Sequence, residues 1–245
     1  MHPIGFSTGA VAYDDFQSAL NLLARTNTSA VELSALRVGE LKPLLEASSS
    51  LRLQRYSHIS VHLPSAYSAD LEKSVFAMAK CFPVQWPLVL HPDAIRDWGL
   101  WRQLGDRVCV ENMDKRKPVG QTRCNLLKIF ERLPEASFCF DIGHAHQVDP
   151  TMCEAVMILR EFGEKLRELH ISEVNSESKH DPISLEAERS FEIVARLIPE
   201  KVPIVLESRV AAPGEALSDQ VRERIEREVG VVESLFRVPV LMAAD

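Results

Sequence analysis

Carboxylates and imidazoles recur in this sequence where short apolar runs stop. In FCFDIGHAH (138–146) an apolar run ends in Asp141, and His144 and His146 follow. Comparable endings are Glu32 in AVELS, His62 in SVHLPS, His91 in LVLHPD, Glu111 in CVENMD, His170 in RELHIS and Glu207 in IVLES. His180 and Asp181 follow in the segment after RELHIS. One such ending is an ordinary polar turn, but their repetition implies chemistry. Crowded carboxylates repel unless protons or cations neutralise them. Histidine converging with Asp and Glu is the ligand set of zinc, manganese, iron or cobalt. A divalent metal site is therefore expected.

Such a site requires apolar runs that stop side by side. The candidate strands are PIGFS (3–7), AVELS (30–34), HISVHL (58–63), PLVLH (87–91), RVCVEN (107–112), SFCFD (137–141), LRELHIS (166–172) and VPIVLES (202–208). Between them apolar residues recur at helical spacing, most clearly in DDFQSALNLLART, DLEKSVFAMAKCF, TRCNLLKIFERL, TMCEAVMILREFGEKL, SLEAERSFEIVARLI and SDQVRERIEREVGVVESLF. Ser184 and the Asp149–Pro150–Thr151 stretch read as helix starts. Repeated strand–helix alternation implies a parallel sheet with right-handed crossovers. Eight such units in 245 residues suit a closed (β/α)8 barrel, the TIM barrel, as a single domain over residues 1–245. An open doubly wound sheet is the competitor. No G-x-G-x-x-G follows the first strand and no G-x-x-x-x-G-K-[ST] occurs, so nucleotide folds lose their usual support. In a parallel barrel all strand C-terminal ends share one face, where active sites are built.

The bulk composition fits an ordinary globular protein and excludes a disordered or collagenous chain: 46% of residues are hydrophobic and 26% charged. The formal net charge of −7 argues against broad attraction to DNA phosphates. Five cysteines form no C-x-x-C pair, which points to a reducing compartment without a disulfide framework or zinc ribbon. The first residues lack the pattern of a signal peptide. No run approaches the roughly 18 apolar residues of a membrane span. The expected location is cytoplasmic, with no membrane partner.

On these motifs, in this order and spacing, the chain resembles the xylose-isomerase-like TIM-barrel superfamily over nearly its whole length. That superfamily includes sugar isomerases and epimerases and the endonuclease IV family. In epimerase-type members one metal is held by Glu, Asp, His and Glu from strands five to eight. The matching residues are Glu111, Asp141, His170 and Glu207. The resemblance implies that Glu111 and Glu207 also exchange protons with the substrate, as catalytic residues. Endonuclease IV-like members assemble three metals. His62 and His91 match their added imidazoles on strands three and four, His144 the one in the D-x-x-H turn, and His180 the imidazole of the D-x-H motif after strand seven. The Asp of that last motif falls at Ser178, with Asp181 the nearby substitute. The resemblance thus implies one to three divalent ions (Zn, Mn, Fe or Co) per chain.

Other residues keep two readings. His62, His91, His144 and His180 either ligate metal or bind substrate oxygen. Glu32 either binds substrate or orients a ligand. Lys115, Arg116 and Lys117 are either a solvated charge run or a trap for an anionic substrate such as a sugar phosphate. His58 and His146 are expected to lie outside the site, and Trp86, Trp98 and Trp101 to pack. Two reaction classes share the ligands: isomerisation or epimerisation of a sugar, and phosphodiester hydrolysis of the endonuclease IV kind (AP endonuclease family 2). The excess of imidazoles favours hydrolysis. The short segment DAIRDWGLWRQLGD between strands four and five, and the acidic chain, favour a small carbohydrate-like substrate over nucleic acid. A multi-metal barrel that modifies a partner peptide and a metal-binding scaffold are further alternatives. The expected activity is a metal-dependent isomerase or epimerase; the oligomeric state has no signature in the sequence.

Overall fold

The computed structural model describes residues 1–237; residues 238–245 of the expected domain lie outside the described residues. Eight parallel strands close into a barrel. They are β1 (Ile4–Ser7), β2 (Ala30–Ser34), β3 (His58–His62), β4 (Leu88–Leu90), β5 (Val108–Glu111), β6 (Ser137–Asp141), β7 (Leu166–Ile171) and β8 (Ile204–Leu206). Each pairs with its sequence neighbours, and Ile4 against Ile204 shuts the ring. The (β/α)8 barrel expected from the strand–helix alternation is thus the fold.

Successive residues of a strand point to opposite sides, and this barrel uses the two sides differently. Phe6, Val31, Leu33, Val61, Leu88, Leu90, Val110, Phe138, Phe140, Leu169 and Leu206 belong to one continuous apolar core with the surrounding helices. Their neighbours in sequence face the interior. Only a small apolar plug of Val89, Cys109 and Cys139 sits there as a separate cluster. Besides Gly5, Ala30 and Val205, the other buried residues of that parity are polar: Ser7, Glu32, Ser34, Ser60, His62, Glu111, Ser137, Asp141, Glu168 and His170. Burial of the outward side stabilises the barrel by roughly 1.5–3 kcal/mol per large side chain. The interior is thereby left free to carry chemistry.

The crossover helices largely match the sequence reading. Ser184 Oγ accepts from the Ala187 N–H, starting the helix Leu185–Ala195. Asp149 accepts from Thr151 and Glu154 before the helix Cys153–Phe162. In the helix Asp219–Leu235, Val221, Ile225 and Val229 face the core. A helix at Val38–Ser48 has no clear sequence signal, because Gly39 and Pro43 lie within it. Burial of Leu41 and Leu44, and Glu40 accepting the Arg37 N–H at 3.1 Å, hold it against that poor propensity. Between β4 and β5 the chain makes a turn at Pro92–Ala94, a short helix, Trp98–Arg102, and a second turn at Gly105–Arg107. Trp101 there is fully buried and donates to Glu72, and Trp98 stacks under Arg132, so both pack as expected; Trp86 is buried.

Candidate metal centre

The strand ends deliver their side chains to the floor of a cavity of about 720 Å³. Glu111 on β5 is its hub. Its Oε2 lies 3.0 Å from His91 Nε2 and 3.4 Å from His62 Nε2. Its Oε1 lies 3.5 Å from His170 Nδ1 and 3.4 Å from His144 Nδ1. Glu207, just past β8, approaches His170 Nδ1 at 3.5 Å and His180 Nδ1 at 3.3 Å. Asp141 and His170 lie deeper, fully buried beneath the cavity lining.

Among the described residues, the donor atoms at the cavity floor fall into three overlapping groups, each within 4.8 Å: His62–His91–Glu111, Glu111–Asp141–His170–Glu207 and Asp141–His144–His180. Ligand atoms about 2.0–2.3 Å from one ion stand roughly 3–4 Å apart, so each group has the dimensions of a metal site. Glu111 and Asp141 belong to two groups each, which lets one carboxylate serve two ions. The first two groups combine carboxylate and imidazole donors, the kinds a divalent transition metal takes. Glu111 Oε2, Asp141 Oδ2 and His170 Nδ1 are buried without a hydrogen-bond partner. Orphaned carboxylate and imidazole atoms facing one another are costly in a dry interior unless a cation joins them.

The imidazoles are arranged to keep a free nitrogen in the cluster. His62 Nδ1 bonds the Leu63 carbonyl at 2.8 Å, and His144 Nδ1 bonds the Asn112 carbonyl at 2.9 Å. His180 Nδ1 meets Ser172 Oγ at 2.8 Å. Each bond occupies Nδ1; on His62 this leaves Nε2, 3.4 Å from Glu111 Oε2, as the candidate ligand. On His170 the roles reverse: Nε2 faces Glu168 Oε1 at 2.9 Å and Nδ1 points to the ligands.

Local structure accounts for the placement. Asp141 ends β6 and caps the short helix Ile142–Val148 by accepting the His144 N–H at 2.6 Å. Gly143 is needed for proximity, since a Cβ there would stand 2.3 Å from the Ser172 carbonyl oxygen. A two-stranded hairpin, Glu173–Val174 with His180–Asp181, follows β7 and carries His180 to the cavity wall.

Electrostatics separate the two glutamates. Burial pushes the Glu111 carboxyl up, but the imidazoles of His91, His170 and His62 outweigh it and hold it well below the usual range. Burial dominates at Glu207, with the Glu111 and Asp141 charges adding to it, and its carboxyl is pushed up to about 8. Burial and the Glu111 charge likewise raise Asp141 to about 7. Burial lowers His62, but the Glu32 and Glu111 carboxylates prevail and raise it to about 9.

Several expectations need correction. Glu32 does not line the cavity; it is fully buried, 3.1 Å from His170 Nε2, which fits orientation of a ligand and not contact with substrate. Lys115 is exposed outside the cavity lining, whereas Arg116 and Lys117 line it. Both of these are held by acids, Arg116 by Asp114 and Lys117 by Asp93 at 2.9 Å. Asp181 does not replace the missing carboxylate at Ser178, because it accepts from Asn175 Nδ2 at 2.7 Å. Ser178 Oγ instead donates to Asp114 Oδ1 at 3.1 Å. His146 packs on Phe191 and His58 lies at the start of β3, both apart from the ligands as expected. Two residues were missed. Asn112 grips the Asp141 backbone through both amide atoms at 2.8 Å, and Glu168 is buried beneath His170. Neighbouring Glu111 in CVEN was the available signal for Asn112; Glu168 had only its even spacing from His170.

No protein-family model and no curated protein matches the chain. Solved structures do. A xylose isomerase domain protein from Alicyclobacillus acidocaldarius superposes with a TM-score of 0.65, covering 97% of this chain and 100% of that one at 16% identity. Endonuclease IV from Thermus thermophilus gives a TM-score of 0.57 over 95% of this chain and 99% of its own, also at 16% identity. The chain has the xylose-isomerase-like TIM-barrel fold. A protein from Anabaena variabilis, assigned as a sugar phosphate isomerase/epimerase, shares this fold with a TM-score of 0.61, covering 96% of this chain and 99% of that one at 12% identity. The resemblance read from the strand-end motifs of this xylose-isomerase-like barrel is therefore borne out in the fold. Activity rests on the residues of the cavity.

Proposed function

We propose that the protein is a divalent-metal-dependent isomerase or epimerase of a small carbohydrate-like substrate. The observation that carries this reading is the convergence of donor atoms of Glu111, Asp141, His170 and Glu207 within 4.8 Å below a half-open cavity of about 720 Å³, which admits a small carbohydrate. Glu111, Asp141, His170 and Glu207 would hold a divalent ion, which would supply Lewis-acid polarisation of a substrate carbonyl and so acidify the adjacent C–H. Glu207 is the acid–base group, because it reaches the cavity, and without a bound ion burial raises its carboxyl to about 8. It takes the proton from one carbon; returning it to the neighbouring carbon isomerises the substrate, and a proton delivered by a partner group to the opposite face of the same carbon epimerises it. Glu111 stays ionised among its imidazoles as a ligand and as the second carboxylate beside the transferred proton. Arg116 and Lys117 on the rim suit an anionic substituent, though each must share its charge with an aspartate.

A second reading has its own support. The added groups His62–His91–Glu111 and Asp141–His144–His180 exceed the needs of one ion and suit metal-assisted phosphodiester hydrolysis. The short β4–β5 connection and the net charge of −7 weigh against a duplex-gripping surface.

Incubating metal-loaded protein in D₂O with aldoses, ketoses and their phosphates tests the first reading. Carbon-bound hydrogen exchange seen by NMR, absent in Glu207→Gln, supports it. Cleavage of an abasic-site duplex without any such exchange overturns it in favour of the second.

A further inference from the structure

Beneath the metal centre runs a line of buried polar groups that neither reading uses. His58 at the start of β3 pairs through Nε2 with Glu168 Oε2. Glu168 Oε1 accepts from Ser60 Oγ at 3.1 Å and meets His170 Nε2 at 2.9 Å. Glu168 has no exposed surface, and the His58 side chain is only 11% exposed. Such a carboxylate persists in a barrel interior only if both of its oxygens are engaged. Here Ser60, His58 and His170 engage them. Cys139, Glu168 and His170 also lie close enough together to suggest a separate metal site. The directed bonds already made by Glu168 argue against that and for a structural purpose within the known cluster.

That purpose follows from His170. A ring with one free edge could turn over or carry its proton on either nitrogen. Glu168 accepts at Nε2, and Glu32 Oε2 stands 3.1 Å from the same nitrogen with no directed partner of its own. Two carboxylates on one edge demand that Nε2 carry hydrogen. Nδ1 is then left as the lone-pair donor, 3.5 Å from both Glu111 and Glu207. We propose that Glu168, anchored by His58 and Ser60 and supported by Glu32, is the positioning residue that fixes the tautomer and orientation of His170 for metal binding. This rests on the metal centre proposed above. A carboxylate on the far nitrogen raises the basicity of a ligating imidazole, and removing such a partner weakens metal binding about 10- to 100-fold.

The test uses cobalt(II) as a spectroscopic probe on the full chain, with affinity measured against a competing chelator. Glu168→Gln preserves size while removing the charge. It should lower cobalt affinity about 10- to 100-fold and shift the visible cobalt bands, with circular dichroism of the metal-free protein unchanged. His58→Ala, at the less buried end of the line, should lower affinity severalfold, and His58→Gln should restore it by again donating to Glu168. If Glu168→Gln fails to fold, the His58 pair decides the question alone. Wild-type affinity and an unchanged cobalt spectrum in both Glu168→Gln and His58→Ala would overturn the proposal while leaving the metal centre intact. Wild-type protein that binds no cobalt would instead overturn the metal centre itself.

Discussion

Replacing Gly143 by alanine should damage the fold and the metal centre together. An added Cβ would stand 2.3 Å from the Ser172 carbonyl oxygen and 2.8 Å from Val174 Cγ2, against 3.4 Å or more for ordinary contact. The turn after β6 must therefore move about 1 Å from the end of β7, and overpacking of this kind costs about 1–3 kcal/mol. For a chain of this length each kcal/mol lowers Tm by about 2–4 °C, so a loss of about 2–12 °C is expected in the metal-free protein. The same shift displaces Asp141 and His144 on one side and Ser172, the partner of His180, on the other. Divalent metal affinity should fall about tenfold or more. Thermal unfolding by circular dichroism, with chelator and with saturating zinc, measures both effects. Gly230→Ala is the control: nothing lies within 4 Å of its added Cβ, it sits in the helix Asp219–Leu235, and alanine should raise Tm slightly. A Gly143→Ala protein with unchanged Tm and metal affinity would refute the close-approach argument.

Glu207→Gln should reduce substrate hydrogen exchange about 10²- to 10⁴-fold while the remaining ligands retain metal, measured by NMR in D₂O alongside metal analysis. His62→Ala with His91→Ala should remove one ion at most and spare the Glu111–Asp141–His170–Glu207 group, as counted by elemental analysis. Without metal, stability should fall as pH rises from 6.5 to 9. The folded protein holds protons on Asp141, Glu207 and His62 up to about 7, 8 and 9, so their contribution is present at lower pH and lost through those values. His180, lowered to about 3 chiefly by burial, contributes its change below that window. Calorimetric Tm values across the range check the slope, and a Tm rising with pH would contradict it.

Much of this architecture was legible because the strands advertise it. Runs such as VCVE and FCFD carry large apolar residues at alternate positions and end in a ligand, so both the barrel and its floor follow from the strand ends. What escaped notice lies inside the strands. A glutamate in mid-strand, as in LRELHI, ordinarily reads as solvent-facing, but a closed barrel turns that parity inward, and Glu168 becomes a buried partner of His170. Glu32 shares this inward parity and lies too deep to meet substrate, so of its two readings the orientation of a ligand is the one its burial supports. The helix Val38–Ser48 was obscured by Gly39 and Pro43, whose poor propensity is overridden by the burial of Leu41 and Leu44. In the basic loop, sequence spacing alone could not distinguish Lys115 from Arg116 and Lys117. Ion pairs with Asp114 and Asp93 set the latter two against the cavity wall.

The central claim is that the orphaned donors of Glu111, Asp141 and His170 meet at a divalent ion. Elemental analysis of protein supplemented with zinc, manganese, iron and cobalt, then dialysed, tests it most directly. At least one ion per chain is expected in the wild type, and none retained in the Glu111→Ala, Glu207→Ala double variant. Wild-type protein emerging without bound metal would contradict the account.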